Sequence, residues 1–124
     1  MGAIRGLPYN LKRAYRRVPL YDENNRALSD IDILLSDTEW AMAVEVTREA
    51  VPEDIGRHEK RMELIKKYPP GETRGKKLLG ALAGGVLSPG TAERAYQAGF
   101  FALELAGESV ALVQPPEGFS PREW

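Results

Sequence analysis

Apolar and polar positions change rhythm several times along this chain, and each change marks an element. Residues 29–47, SDIDILLSDTEWAMAVEVT, alternate with a period of two on either side of Ser36-Asp37-Thr38-Glu39, which predicts strands over Ser29–Leu35 and Trp40–Thr47 joined by a short turn. A weaker alternation over 13–20 predicts a preceding strand, closed by the turn residues Asp22-Glu23-Asn24-Asn25. After Pro52 the rhythm becomes helical: Ile55, Met62 and Ile65 recur on one face of a helix starting near Glu53 and ending at Tyr68-Pro69-Pro70-Gly71. Lys77–Val86 is a short apolar run between a basic loop and Ser88-Pro89-Gly90, as a buried strand would be. Thr91–Ala98 reads as a short helix stopped by Gly99, with strand segments at Phe100–Leu103 and Ser109–Val113. The tail from Gln114, rich in proline, shows no periodicity. Strand-helix-strand units bring parallel partners together, so this order predicts an α/β domain with a mixed central sheet flanked by helices.

The period of two also sorts side chains by face. Asp30, Asp32 and Leu34 fall on one face of their strand, and Ala43, Glu45 and Thr47 on one face of the next. A turn centred between Thr38 and Glu39 sets Ile33 against Val44 and Asp32 against Glu45. Like charges facing each other across strands are destabilising. A hard divalent cation held by the two carboxylates and a backbone carbonyl would offset the repulsion, and Mg²⁺ needs only one or two carboxylates beside waters and phosphates. A sheet face on which the acids simply meet water, or meet an arginine, satisfies the same spacing.

Composition narrows the classes. A length of 124 residues, 43% of them hydrophobic and 28% charged, suits one domain spanning 1–124. Absence of cysteine excludes disulfides and thiolate metal sites. No segment approaches the roughly 18 apolar residues of a membrane span, and no signal-peptide core opens the chain, so a cytoplasmic protein is expected. The net charge of −1 hides segregation. Residues 1–12 form a basic arm continuous with the first strand, so that 1–17 carry five cations (Arg5, Lys12, Arg13, Arg16, Arg17) and no acid. Residues 18–55 carry ten acids against Arg26 and Arg48, and 57–77 carry eight cations against three acids. A basic surface beside an acidic pocket suits a partner with a phosphate backbone.

The succession D-x-D on one strand, a short turn, then E-V-x on the next, a charged helix and a further apolar strand resembles the PD-(D/E)XK nuclease superfamily, the restriction-endonuclease-like fold. VPLYDENNRALSDIDILLSDTEWAMAVEVTREAVPEDIGRHEKRMELIKKY is similar to small uncharacterised archaeal and bacterial members, including the helical Lys60-Arg61-Met62-Glu63-Leu64. KKLLGALAGGVLSPGTAERAYQAGFFAL matches their following strand and helix. The likeness covers residues 13 to 113.

That resemblance implies roles. Asp32 and Glu45 would be the metal-binding acids, with the Val46 carbonyl as a further ligand, Mg²⁺ or Mn²⁺ as the cofactor, and hydrolysis of DNA phosphodiesters as the reaction. The superfamily lysine falls on Thr47, which carries no charge, so Lys60 or Arg61 would have to replace it. Otherwise the domain is a catalytically inactive member serving in oligomerisation or nucleic-acid contact. Relatives begin with a full helix, whereas about a dozen residues precede the first strand here. So small a domain would gain surface as a homodimer.

Other residues are weaker candidates. His58, the one histidine, is expected at the helix surface. Gly71-Glu72-Thr73-Arg74-Gly75-Lys76-Lys77 lacks the spacing and the Ser or Thr of a phosphate loop and reads as a basic connection. Trp40 would cap the hairpin or the sheet edge.

Overall fold

The computed structural model describes Ile4 and residues 6–124, so Arg5 of the basic arm lies outside the described residues. Six strands form one sheet in chain order: β1 (Arg13–Tyr21), β2 (Ala27–Ser36), β3 (Trp40–Ala50), β4 (Lys77–Leu87), β5 (Phe101–Ala106) and β6 (Ser109–Leu112). β1, β2 and β3 pair antiparallel, β4 and β5 continue parallel to β3, and β6 returns antiparallel at the far edge. Helices α1 (Pro52–Lys67) and α2 (Thr91–Gln97) supply the two crossovers to the parallel strands. This is the mixed sheet the sequence predicts, with β6 completing it.

From Leu78 to Gly84 strand β4 can be wholly apolar because both its faces are covered there. On the helix side Gly80 lies beneath Phe100, where a Cβ would come within 2.5 Å of the ring, and Met62 of α1 packs beside them. The opposite side gathers Ile33, Leu35, Val44, Val46, Ala83 and Leu103, with Ile4 of the arm laid against them around a small, wholly apolar cavity of about 50 Å³.

Both ends of the described chain are packed. Tyr9 of the arm meets Trp40 and Phe101 with ring centroids 4.9 and 6.0 Å apart, which seats the hairpin tryptophan at the start of β3 as expected. The proline-rich tail, unreadable by period, docks through aromatic rings. Phe119 sits edge-on to Tyr96 and Phe101, and Trp124 stacks on Phe100 with centroids 5.5 Å apart while its backbone N–H donates to the Leu78 carbonyl at 2.8 Å.

Candidate functional site

The β2–β3 ladder has the register the hairpin implies, Ile33 opposite Val44, but it ends there. Continuation would have put Asp32 opposite Glu45 as an ordinary cross-strand pair. Instead the Asp32 carboxylate takes the acceptor position in the gap between the strands: the Val46 N–H donates to Asp32 Oδ2 at 2.9 Å. The expected pairing of two carboxylates on one regular face is therefore corrected to an acid inserted where two strands part. A carboxylate oxygen suits this place because it accepts the backbone N–H that the parting strands leave without a ladder partner.

Glu45 is positioned by the helix. His58 Nε2 donates to the Ala43 carbonyl at 2.9 Å, pinning α1 on β3. Three residues further along the helix, about 4.5 Å of rise, Arg61 reaches Glu45, two residues further along the strand: Nη1 stands 2.7 Å from Oε1. The same guanidinium places Nε 3.4 Å from Ser29 Oγ on β2, so Arg61 spans the parted strands. Glu45 is only 5% exposed, and its Oε2 is buried without a hydrogen-bond partner. Burial pushes the Glu45 carboxyl above the ordinary carboxylate range, Arg61 pulls it back, and the nearby Asp54 pushes it up again.

Asp54 belongs to the opening turn of α1. The residue before the helix is Val51, which has no capping oxygen, so Asp54 reaches back to accept the Val51 N–H at 2.9 Å and also takes Arg57 Nη1 at 2.6 Å. Sequence reading passed over Asp54 and Ser29. An acid at the third helical position after a proline was the available signal for the first, whereas nothing in the local pattern marks Ser29.

His58 corrects the expectation of a surface histidine: it is fully buried, 5.0 Å from the Phe100 ring centroid. Since a carbonyl only accepts, its bond to Ala43 fixes the neutral tautomer protonated at Nε2. Nδ1 has no partner, and burial lowers the His58 pKa to about 4.

Of the two cations considered as replacements for the lysine, Arg61 touches Glu45. Lys60 is exposed and forms no ion pair or hydrogen bond among the described residues. Thr47 is half-buried, its hydroxyl 3.5 Å from the Glu49 carbonyl. The basic connection 71–77 forms a short 3₁₀ turn at Gly71–Thr73 and enters a separate cleft of about 510 Å³ with Lys66, Lys76, Lys77 and Trp124 in its wall.

Among the described residues no three His, Cys, Asp or Glu side chains gather as a self-sufficient metal cage. The donor chemistry still fits a hard cation of low protein coordination. Glu45 Oε2 is an unpaired buried carboxylate oxygen beside an arginine that occupies the other oxygen, and Asp32 supplies a second carboxylate at the same strand junction.

Comparison with solved structures finds the crystal structure of a repair endonuclease from Pyrococcus abyssi, with a TM-score of 0.53 and 17% identity over 73% of this chain. The match covers 36% of that protein, so this chain spans about a third of its length. No protein-family pattern and no curated protein matches the sequence. The likeness shows the fold: an α/β domain of restriction-endonuclease-like type, its mixed six-stranded sheet flanked by two helices. Among the described residues no helix is long and apolar enough to cross a membrane.

Proposed function

We propose that this chain is a nuclease-like domain that acts on a DNA backbone, with Asp32 and Glu45 holding Mg²⁺ or Mn²⁺ at the junction where β2 leaves β3. The observation that carries the reading is the unpaired, buried Oε2 of Glu45 on β3, with the inserted Asp32 carboxylate on the neighbouring strand bonded to the Val46 N–H one residue along β3. A carboxylate whose burial raises its pKa gains most from a nearby positive charge, and one guanidinium on Oε1 leaves the second oxygen available. When bound, a divalent cation there stabilises charge on a phosphoryl group and makes a water more acidic. The chain's own part is to hold Asp32 through the Val46 N–H, to orient Glu45 through Arg61, and to exclude water behind them with the buried His58 face of α1. The Val46 carbonyl is the third oxygen of this reading, and Arg61 provides the fixed positive charge that Thr47 does not.

A second reading keeps the fold and the DNA contact but not the chemistry. Thr47 at the lysine position, with Arg61 already engaged by Glu45, favours it. Calorimetric titration with Mn²⁺ comes first, comparing wild type with Asp32→Asn and Glu45→Gln. A binding isotherm abolished in both variants supports the metal pair, and an isotherm indifferent to both sinks it. Plasmid nicking by wild type and by Thr47→Lys then separates the readings: cutting by wild type supports the enzyme, and cutting by the lysine variant alone identifies an inactive member. Sedimentation on duplex DNA tests whether two copies assemble there, as a domain with so little surface for reading sequence would favour.

A further inference from the structure

The edge strand β1 contains an irregularity that the site as described leaves unexplained. Arg17 has φ of 51°, in the left-handed region that L-residues with long side chains seldom enter. Its place in the sheet is specific. The pairs Arg16 with Ile33 and Val18 with Ile31 bracket it, so Arg17 lies opposite Asp32 across β1 and β2. On the other side of Asp32 the β2–β3 ladder ends, with the Val46 N–H turned to the Asp32 carboxylate. The left-handed Arg17 and the end of that ladder thus lie on either side of Asp32, in the order Arg17, Asp32, Glu45, Arg61. The charges in that order are plus, minus, minus, plus. Arg61 is committed to Glu45, whereas the Arg17 side chain is exposed and makes no ion pair or hydrogen bond among the described residues.

Arg13, Arg16 and Arg17 are all exposed on this edge, and cations on an edge strand discourage pairing with other chains. Any of the three would serve that purpose. The unusual backbone occurs only at the one that faces the inserted acid. Strained residues persist where the surroundings over-determine them, and they collect at functional sites.

Resting on the nuclease-like reading above, we propose that Arg17 is the outer phosphate-binding residue of the Asp32 site, contacting the DNA backbone as it passes over the β1 edge. The left-handed residue is an exposed arginine placed opposite Asp32 on the edge strand, on the side of Asp32 away from β3 and Arg61. Its role is to bind and position the strand.

Glycine separates the side chain from the backbone shape, because Arg17→Gly removes the guanidinium and accepts φ of 51° more readily than arginine does. Arg17→Lys keeps a charge and the unfavourable φ. Four measurements are made on the full chain: binding of a short labelled DNA duplex in Ca²⁺ over a salt series, Mn²⁺ titration without DNA, thermal unfolding, and circular dichroism. The expected result is an Arg17→Gly protein as stable as wild type or more so, with unchanged Mn²⁺ binding, DNA affinity lowered about three- to tenfold, and a salt slope shallower by about one. Arg17→Lys should stay close to wild type. Equal DNA binding by Arg17→Gly and wild type overturns this inference and leaves the acid pair untouched. Loss of Mn²⁺ binding in Arg17→Gly also overturns it, by moving the role of residue 17 into shaping the site. Failure of wild type to bind DNA overturns both this inference and the DNA-directed part of the reading beneath it.

Discussion

Arg61 and Glu45 form a nearly buried ion pair between a helix and a strand, 2.7 Å apart, with side-chain exposures of 18% and 7%. Such pairs contribute little over a hydrophobic replacement, but the loss of one member strands the other. Arg61→Met should therefore destabilise the fold by about 2 kcal/mol at pH 7, short of the penalty for a wholly buried pair because Arg61 is partly solvated. Without its guanidinium the Glu45 carboxyl rises further, so the penalty should shrink on acidification as Glu45 takes up a proton. Urea unfolding at pH 7 and pH 5 measures both effects. An equal loss at the two values would show that Glu45 is not the group responsible.

Asp32 combines a structural task with its proposed chemical one, and two substitutions separate them. Asp32→Asn keeps an oxygen for the Val46 N–H, whereas Asp32→Ala leaves that amide unpaired at the strand junction. The alanine variant should lose about 1–2 kcal/mol and the asparagine variant less, while both lose Mn²⁺ binding. If the asparagine protein unfolds as readily as the alanine one, the Val46 bond contributes no stability.

Stability should fall in mild acid because of His58. Its pKa is about 4 in the fold against an ordinary 6.5, so below 6.5 the unfolded chain binds a proton that the native protein refuses. The contribution is complete above pH 6.5 and declines by as much as about 3 kcal/mol as the pH approaches 4. Glu45 works in the opposite direction, since a carboxyl raised in the fold favours the native state as it protonates. In His58→Leu the decline should flatten, although the variant starts about 1 kcal/mol lower for want of the Ala43 hydrogen bond. Chemical denaturation at three pH values gives the slope.

Gly80 is predicted to be intolerant of a side chain. A Cβ there would meet Phe100 Cε1 at 2.5 Å and Cδ1 at 2.6 Å, both in a ring fixed between β4 and the stacked Trp124. Gly80→Ala should cost about 1–3 kcal/mol through overpacking. Thermal denaturation decides it, and a neutral result would mean that Phe100 can move aside.

How much of this was readable in advance differs from element to element. The hairpin register was legible because a short turn leaves one way to bury Val44 against Ile33. The break one residue later was not, since alternation treats every side chain as perpendicular to the sheet, whereas the Asp32 carboxylate reaches across the gap to the Val46 N–H of the next strand. His58 had a usable signal: Ile55, His58, Met62 and Ile65 are successive positions of the buried stripe of α1, and only the polarity of the residue argued for the surface. Arg61 was a candidate by charge alone, and its reach to Glu45 depends on how the helix is pinned at Ala43. The tail gave no signal because its anchoring depends on a few aromatic rings at irregular intervals.

The docking of Trp124 also constrains the order in which the molecule can be assembled. Its partners, the Leu78 carbonyl that takes its backbone N–H and the Phe100 ring that takes its indole, belong to segments that must already be neighbours before residue 124 can settle against them. A chain cut short before residue 124 would leave the Phe100 ring bare on the face that the indole covers.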